Sequence, residues 1–117
     1  MWTIEPTSQW EKDKKWYEKK RPNELAAVLH NLKRYLQQLN CSPNAKSVMA
    51  GYIHPEPQGV VALDQKGSKG SLQETRLYLL PIEDQKLLYI ITIGNKADQH
   101  DDIQYCKDFA NSLTKKD

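Results

Sequence analysis

Two apolar segments, over about residues 72–80 and 86–94, stand one short polar turn apart, joined by Pro81-Ile82-Glu83-Asp84-Gln85. Both are rich in leucine, isoleucine and tyrosine, and so short a link makes them antiparallel strands. Side chains alternate along a strand, which divides the first segment into two sets. Thr75, Leu77 and Leu79 point one way and need an apolar cover. Glu74, Arg76, Tyr78 and Leu80 point the other way and form a polar, aromatic patch on the opposite face.

The cover stands near the N-terminus. Leu25, Val28, Leu29, Leu32, Tyr35, Leu36 and Leu39 follow a three-four spacing without a miss, the mark of an amphipathic helix. A second helix precedes it, from about Gln9 to Lys20, opened by a capping box at Ser8-Gln9-Trp10-Glu11. Pro22 suits the first turn of the longer helix, where a missing N–H costs nothing. Together they make a helical hairpin over one face of the sheet. Trp2-Thr3-Ile4-Glu5 reads as a first strand, Val60-Val61-Ala62-Leu63 as a buried one, and Ser47 to Ile53 as a short edge strand. A last helix begins near Asp98, with Asp98, Asp101 and Asp102 at its positive end and Lys115 and Lys116 at its negative end. Ile103, Cys106, Ala110 and Leu113 form its apolar stripe, with Phe109 alongside. The expected fold is α+β: residues 1–117 as one domain, a small, mostly antiparallel sheet of three to five strands, an N-terminal helical hairpin on one face and a C-terminal helix.

At 117 residues the chain is long enough for one core, and 38% apolar against 27% charged residues fits a soluble globular protein. No apolar run approaches the ~20 residues that span a bilayer. The first six residues lack the basic-then-apolar pattern of a secretory signal. Cys41 and Cys106 stand far apart in sequence with no Cys-x-x-Cys pair, and read either as two reduced thiols of a cytosolic protein or, if adjacent in space, as a disulfide. Cytoplasmic location, no metal and no cofactor are the resulting expectations. The net charge is only +2, which permits nucleic acid without demanding it.

Pattern alone leaves Arg76 with two readings. It is half of a solvated pair with Glu74, or the planar donor of a phosphate site beside Tyr78, with Lys66 and Lys69 in the loop before it. His54 and Glu56, in His-Pro-Glu-Pro-Gln-Gly, are either a proton-transfer pair or an exposed, proline-stiffened loop. The run from Lys12 to Arg21, with Trp16 and Tyr17 inside it, is the wet face of a helix or a nucleic-acid surface.

The stretch "LQETRLYLL…KLLYIITIGNKADQHDDIQYC" resembles the carboxy-terminal half of RelE/HigB/ParE-type bacterial toxins. It has a strand with a Glu-x-Arg-like arginine, then an apolar strand, a turn with lysine and a helix start. The layout matches over nearly the whole chain and the motif over about residues 59–106. The resemblance implies a toxin neutralised by a cognate antitoxin. In RelE-like and HigB-like members it implies a metal-independent endoribonuclease that cuts messenger RNA, generally on the ribosome, by 2′-OH attack on the adjacent phosphate. Carried onto this chain, Arg76 would stabilise the phosphorane and Lys66 and Lys69 would supply catalytic charge. Tyr78, Lys96 and Tyr105 would hold RNA. His54 is no part of that carry-over; its loop, folded toward the sheet face, would supply the missing base. The chain departs from the pattern in its near-neutral charge and in the absence of a second sheet arginine between Leu87 and Ile93. The alternative is a non-catalytic module of the same fold, either a ParE-like inhibitor of DNA gyrase or an inactive homologue.

Overall fold

The computed structural model describes residues 1–65 and 72–114, so Lys66, Lys69, Lys115 and Lys116 lie outside the described residues. The elements are β1 (Thr3–Pro6), α1 (Ser8–Lys20), α2 (Pro22–Cys41), β2 (Ile53–Pro55), β3 (Val61–Gln65), β4 (Thr75–Ile82), β5 (Leu87–Asn95) and α3 (Gln99–Thr114). The five strands form one sheet in the order β1-β5-β4-β3-β2. β1 runs parallel to β5 and every other pairing is antiparallel, so the sheet is mixed.

Thr7 sets the start of α1. Its Oγ1 accepts from the Trp10 N–H at 3.2 Å and donates to the Ile91 carbonyl at 2.9 Å. The cap is therefore Thr7 and not Ser8, because Thr7 is the residue already fixed to β5 by its own backbone N–H on Ile90. α1 continues alongside the far half of β5, where the Thr92 hydroxyl donates to Asp13. At Arg21 the chain leaves α1 and Pro22 opens α2.

The three-four stripe of α2 behaves as its spacing predicts. Leu25, Val28, Leu32, Tyr35 and Leu39 are buried against Leu63, Leu77, Leu79, Leu88, Ile90 and Ile93 of the sheet, together with Trp10 and Tyr17 of α1. Val28, Leu77 and Leu79 are fully buried, and each contributes about 1.5–3 kcal/mol of transfer free energy. The alternation along β4 also holds: Leu77 and Leu79 lie under the helical pair, while Tyr78 and Leu80 lie on the other face.

That other face is not open. α3 closes it, seating Cys106 and Ala110, flanked by Ile103 and Phe109, on Ala62, Tyr78, Leu80 and Ile91. The apolar stripe of α3 requires a partner, and small residues at Ala62 and Ala110 let helix and sheet approach. Tyr78, expected on an open patch, is consequently 0% exposed. Opposite it, β5 carries a bulge: Tyr78 pairs with Thr92 but Leu79 with Ile90, leaving Ile91 as the extra residue.

Residues 41–58 hold less strand than expected. Asn44 Oδ1 accepts from the Ser47 N–H at 3.0 Å and turns Ala45–Ser47 into a 3-10 turn. Extended pairing begins only at Ile53. Gln58 and Gly59, at φ 65° and 81°, then reverse the chain into β3. Among the described residues no helix is long and apolar enough to cross a membrane.

Candidate functional site

Three strands bring four charged or titratable side chains together beside α3. Asp64 on β3 is the cross-strand partner of Arg76 on β4. His54, on β2, pairs with Ala62, two residues before Asp64 and thus on the same face. Glu56 follows β2 directly. Arg76 Nη1 donates to Glu56 Oε2 at 3.2 Å, and its Nε lies 3.8 Å from Asp64 Oδ1. His54 Nε2 stands 3.5 Å from Asp64 Oδ2. Side-chain exposure falls from 39% at His54 to 19% at Arg76, 12% at Glu56 and 10% at Asp64.

The charge count of this cluster limits its chemistry. One guanidinium faces two carboxylates in a partly buried setting, so its charge is taken up within the protein. Asp64 Oδ1 is buried and makes no hydrogen bond, so the second carboxylate is also under-satisfied. The sequence pairs Arg76 with Glu74; the structure pairs it with Glu56 and Asp64 instead. Glu74 precedes the first strand residue, Thr75, and lies outside the pleat that would bring it alongside Arg76. Likewise His54 is set against Asp64, and not against Glu56. What the arrangement offers a ligand is a half-exposed imidazole backed by a carboxylate.

The other residues that the sequence nominates divide. Tyr78 has both faces buried, and its hydroxyl has no hydrogen-bond partner. Burial first, and the Asp102 carboxylate second, push its pKa up. Lys96 is exposed in the Lys96–Asp98 turn after β5, and Tyr105, 43% exposed, lies on α3. Neither of these two joins the Arg76 cluster. Cys106 is buried, and desolvation pushes its thiol to about 12, which makes it an inert core residue.

Tyr105 belongs instead to a second charged region that sequence reasoning missed. Between α1, the end of β5 and the start of α3 lies a cleft of about 470 Å³. Asp13, Asp98, Asp101 and Asp102 line it, Trp16 and Tyr105 form its walls, and among the described residues none that lines it is basic. Its floor is Gly94, which pairs with Arg76 across β4 and β5. Asp102 rests on that glycine so closely that a Cβ there would overlap Oδ2. Asp13 has neutral partners, Gln9 at 3.0 Å and Thr92. Asp102 Oδ2 is buried with no hydrogen bond. Desolvation first, then repulsion from Asp98, Asp13 and Asp101, push the Asp102 carboxyl up to about 7. The Arg76 guanidinium turns toward Glu56 and Asp64 and forms no ion pair with Asp102.

A more apolar cavity of about 600 Å³ lies under residues 44–49, between Val48, Met49, Ile53 and Pro81. Among the described residues no three His, Cys, Asp or Glu side chains are grouped to hold a metal ion. No family model matches the sequence, and no curated protein or solved structure matches the chain.

Proposed function

We propose that this chain is a toxin-like module of RelE/ParE-type architecture, restrained by an antitoxin, that acts by docking to a macromolecular target and not by cutting RNA. The element order supports that architecture: a first strand, a helical pair, a run of antiparallel strands and a closing helix. One observation carries the choice of binding over cleavage. Arg76, the group best suited to stabilise a phosphorane, is already neutralised by Glu56 at 3.2 Å and flanked by Asp64 at 3.8 Å. Among the described residues, a phosphate entering there meets more negative than positive charge. The buried ring of Tyr78 has no free face on which to stack a base. The target that the ParE-like alternative names is DNA gyrase.

The experiment is induction of the chain in a bacterial host, with mapping of messenger RNA 5′ ends and an assay of gyrase supercoiling with purified protein. The proposal expects intact transcripts, and growth arrest or gyrase inhibition that survives His54→Ala. New transcript ends that disappear in His54→Ala would overturn it.

That second outcome belongs to the nuclease reading, which one contact favours. His54 is half-exposed, and Asp64 at 3.5 Å is placed to orient it as a general base for the 2′-OH. On this reading Lys66 and Lys69, two and five residues after Asp64 in sequence, supply the positive charge, and Arg76 must leave Glu56 to reach the phosphate.

A further inference from the structure

We propose that the ridge of α1 is a self-complementary surface on which two copies of this chain pair, with Trp16 at its centre. Trp16 is 51% exposed, an uncommon position for the largest side chain in a helix whose other tryptophan, Trp10, is 4% exposed. Helical geometry gives the ridge two unlike flanks over residues 9–19, ahead of the exposed Lys20, which falls on the Asp13 side at the end of the helix. Lys12 and Lys19, four residues before and three after Trp16, share one flank and are exposed. Among the described residues neither forms an ion pair. Asp13 and Tyr17 turn to the other flank and open into the cleft that also holds Asp98 and Asp101.

A two-fold axis along the ridge exchanges these flanks. It sets the lysines of one copy over the acidic cleft of the other, and the reverse, while the two Trp16 rings meet near the axis. This is the isologous arrangement in which one patch is its own complement. The partner's ammonium groups supply the cation that is missing among the cleft's described lining residues, and meet there its carboxylates and the aromatic faces of Trp16 and Tyr105 for cation–π contact. The contact is polar and compact, so the pairing is weak and salt-sensitive. It is independent of whether the chain cuts RNA.

Sedimentation velocity on the full chain tests it. The wild type should shift from monomer to dimer as concentration rises, and return to monomer as salt is raised. Lys12→Glu with Lys19→Glu places acid against acid, and Asp98→Lys with Asp101→Lys places base against base. Each double variant should stay monomeric alone, and an equimolar mixture of the two should dimerise. Circular dichroism confirms that both are folded, since all four positions are exposed. Trp16→Ala, which removes no buried residue, should weaken self-association by about tenfold. A wild type that is monomeric throughout, a dimer that persists in both charge variants, a mixture that remains monomeric, or association unchanged by Trp16→Ala would each overturn the proposal.

Discussion

Arg76 and Gly94 are cross-strand neighbours, yet the charged groups on either side of that pair live under opposite conditions. On the β3 side, Glu56, Asp64 and His54 gather around a guanidinium, and most of the charge is answered within the fold. On the β5 side, four aspartates share a cleft with no cation among its described lining residues, and Asp102 is forced toward its neutral form. The first region commits its only arginine to holding three strands together. The second retains an unmet demand for positive charge at an aromatic-walled surface. An arginine on a sheet is no sign of an anion site until its partners are known. In this molecule the more open chemistry lies where the acids are.

The largest expected effect comes from removing the answered charge. Arg76→Ala leaves Glu56 and Asp64 partly buried and uncompensated, and should destabilise the fold by about 3 kcal/mol in urea denaturation. The same variant is for that reason a poor probe of catalysis, because loss of activity and loss of fold coincide. A change below about 0.5 kcal/mol would mean that the cluster is solvated, and the comparison would fail on that side.

Next in size is removal of the unanswered charge. The carboxyl of Asp102 has its folded pKa raised above its usual value of 3.8 to about 7. The folded state therefore holds the proton over a range where the unfolded state has lost it. This contribution to stability is fully present below about 4, declines as pH rises, and is gone above about 7. Asp102→Asn should remove that slope and, at pH 8, be more stable than wild type by about 2 kcal/mol, discounting the full linkage for partial exposure. Urea denaturation of both proteins over pH 4–8, at concentrations too low for pairing, checks it. A variant less stable than wild type at pH 8 would show that the carboxylate is well accommodated.

A smaller effect sharpens the contrast further. Gly94→Ala forces Asp102 off the strand and outward into water. It should destabilise the fold by about 1 kcal/mol and bring the Asp102 titration down toward the ordinary carboxylate range. Thermal denaturation and the carboxyl titration of this variant measure the two consequences separately.

Much of the frame is legible in the sequence. The three-four spacing of Leu25 to Leu39 marks a helix and its buried face, and the alternation from Thr75 to Leu80 assigns the two faces of β4. What is not legible is contact. The stripe Ile103, Cys106, Ala110 names a face of α3 but not the surface it covers, so the pattern alone puts Tyr78 on an open patch. The partners of Arg76 lie 20 and 12 positions upstream and depend on a β2–β3–β4 register that spacing does not encode. The cleft depends on the parallel β1–β5 pairing, which lays α1 beside β5 and brings Asp13 to Asp102, 89 residues away. In isolation, Asp98, Asp101 and Asp102 are favourable charges at a helix start. The signal that something more is present is Gly94, a residue without a side chain near the end of a strand otherwise rich in large ones.

Carbon-detected NMR titration of the aspartate side-chain carboxyls reports on both regions at once. One aspartate should titrate near 7, assigned to Asp102 by its absence in Asp102→Asn. If Asp102 titrates with the ordinary carboxylates, the cleft already has its charge met, and the contrast drawn between the two sides of Arg76 and Gly94 is wrong.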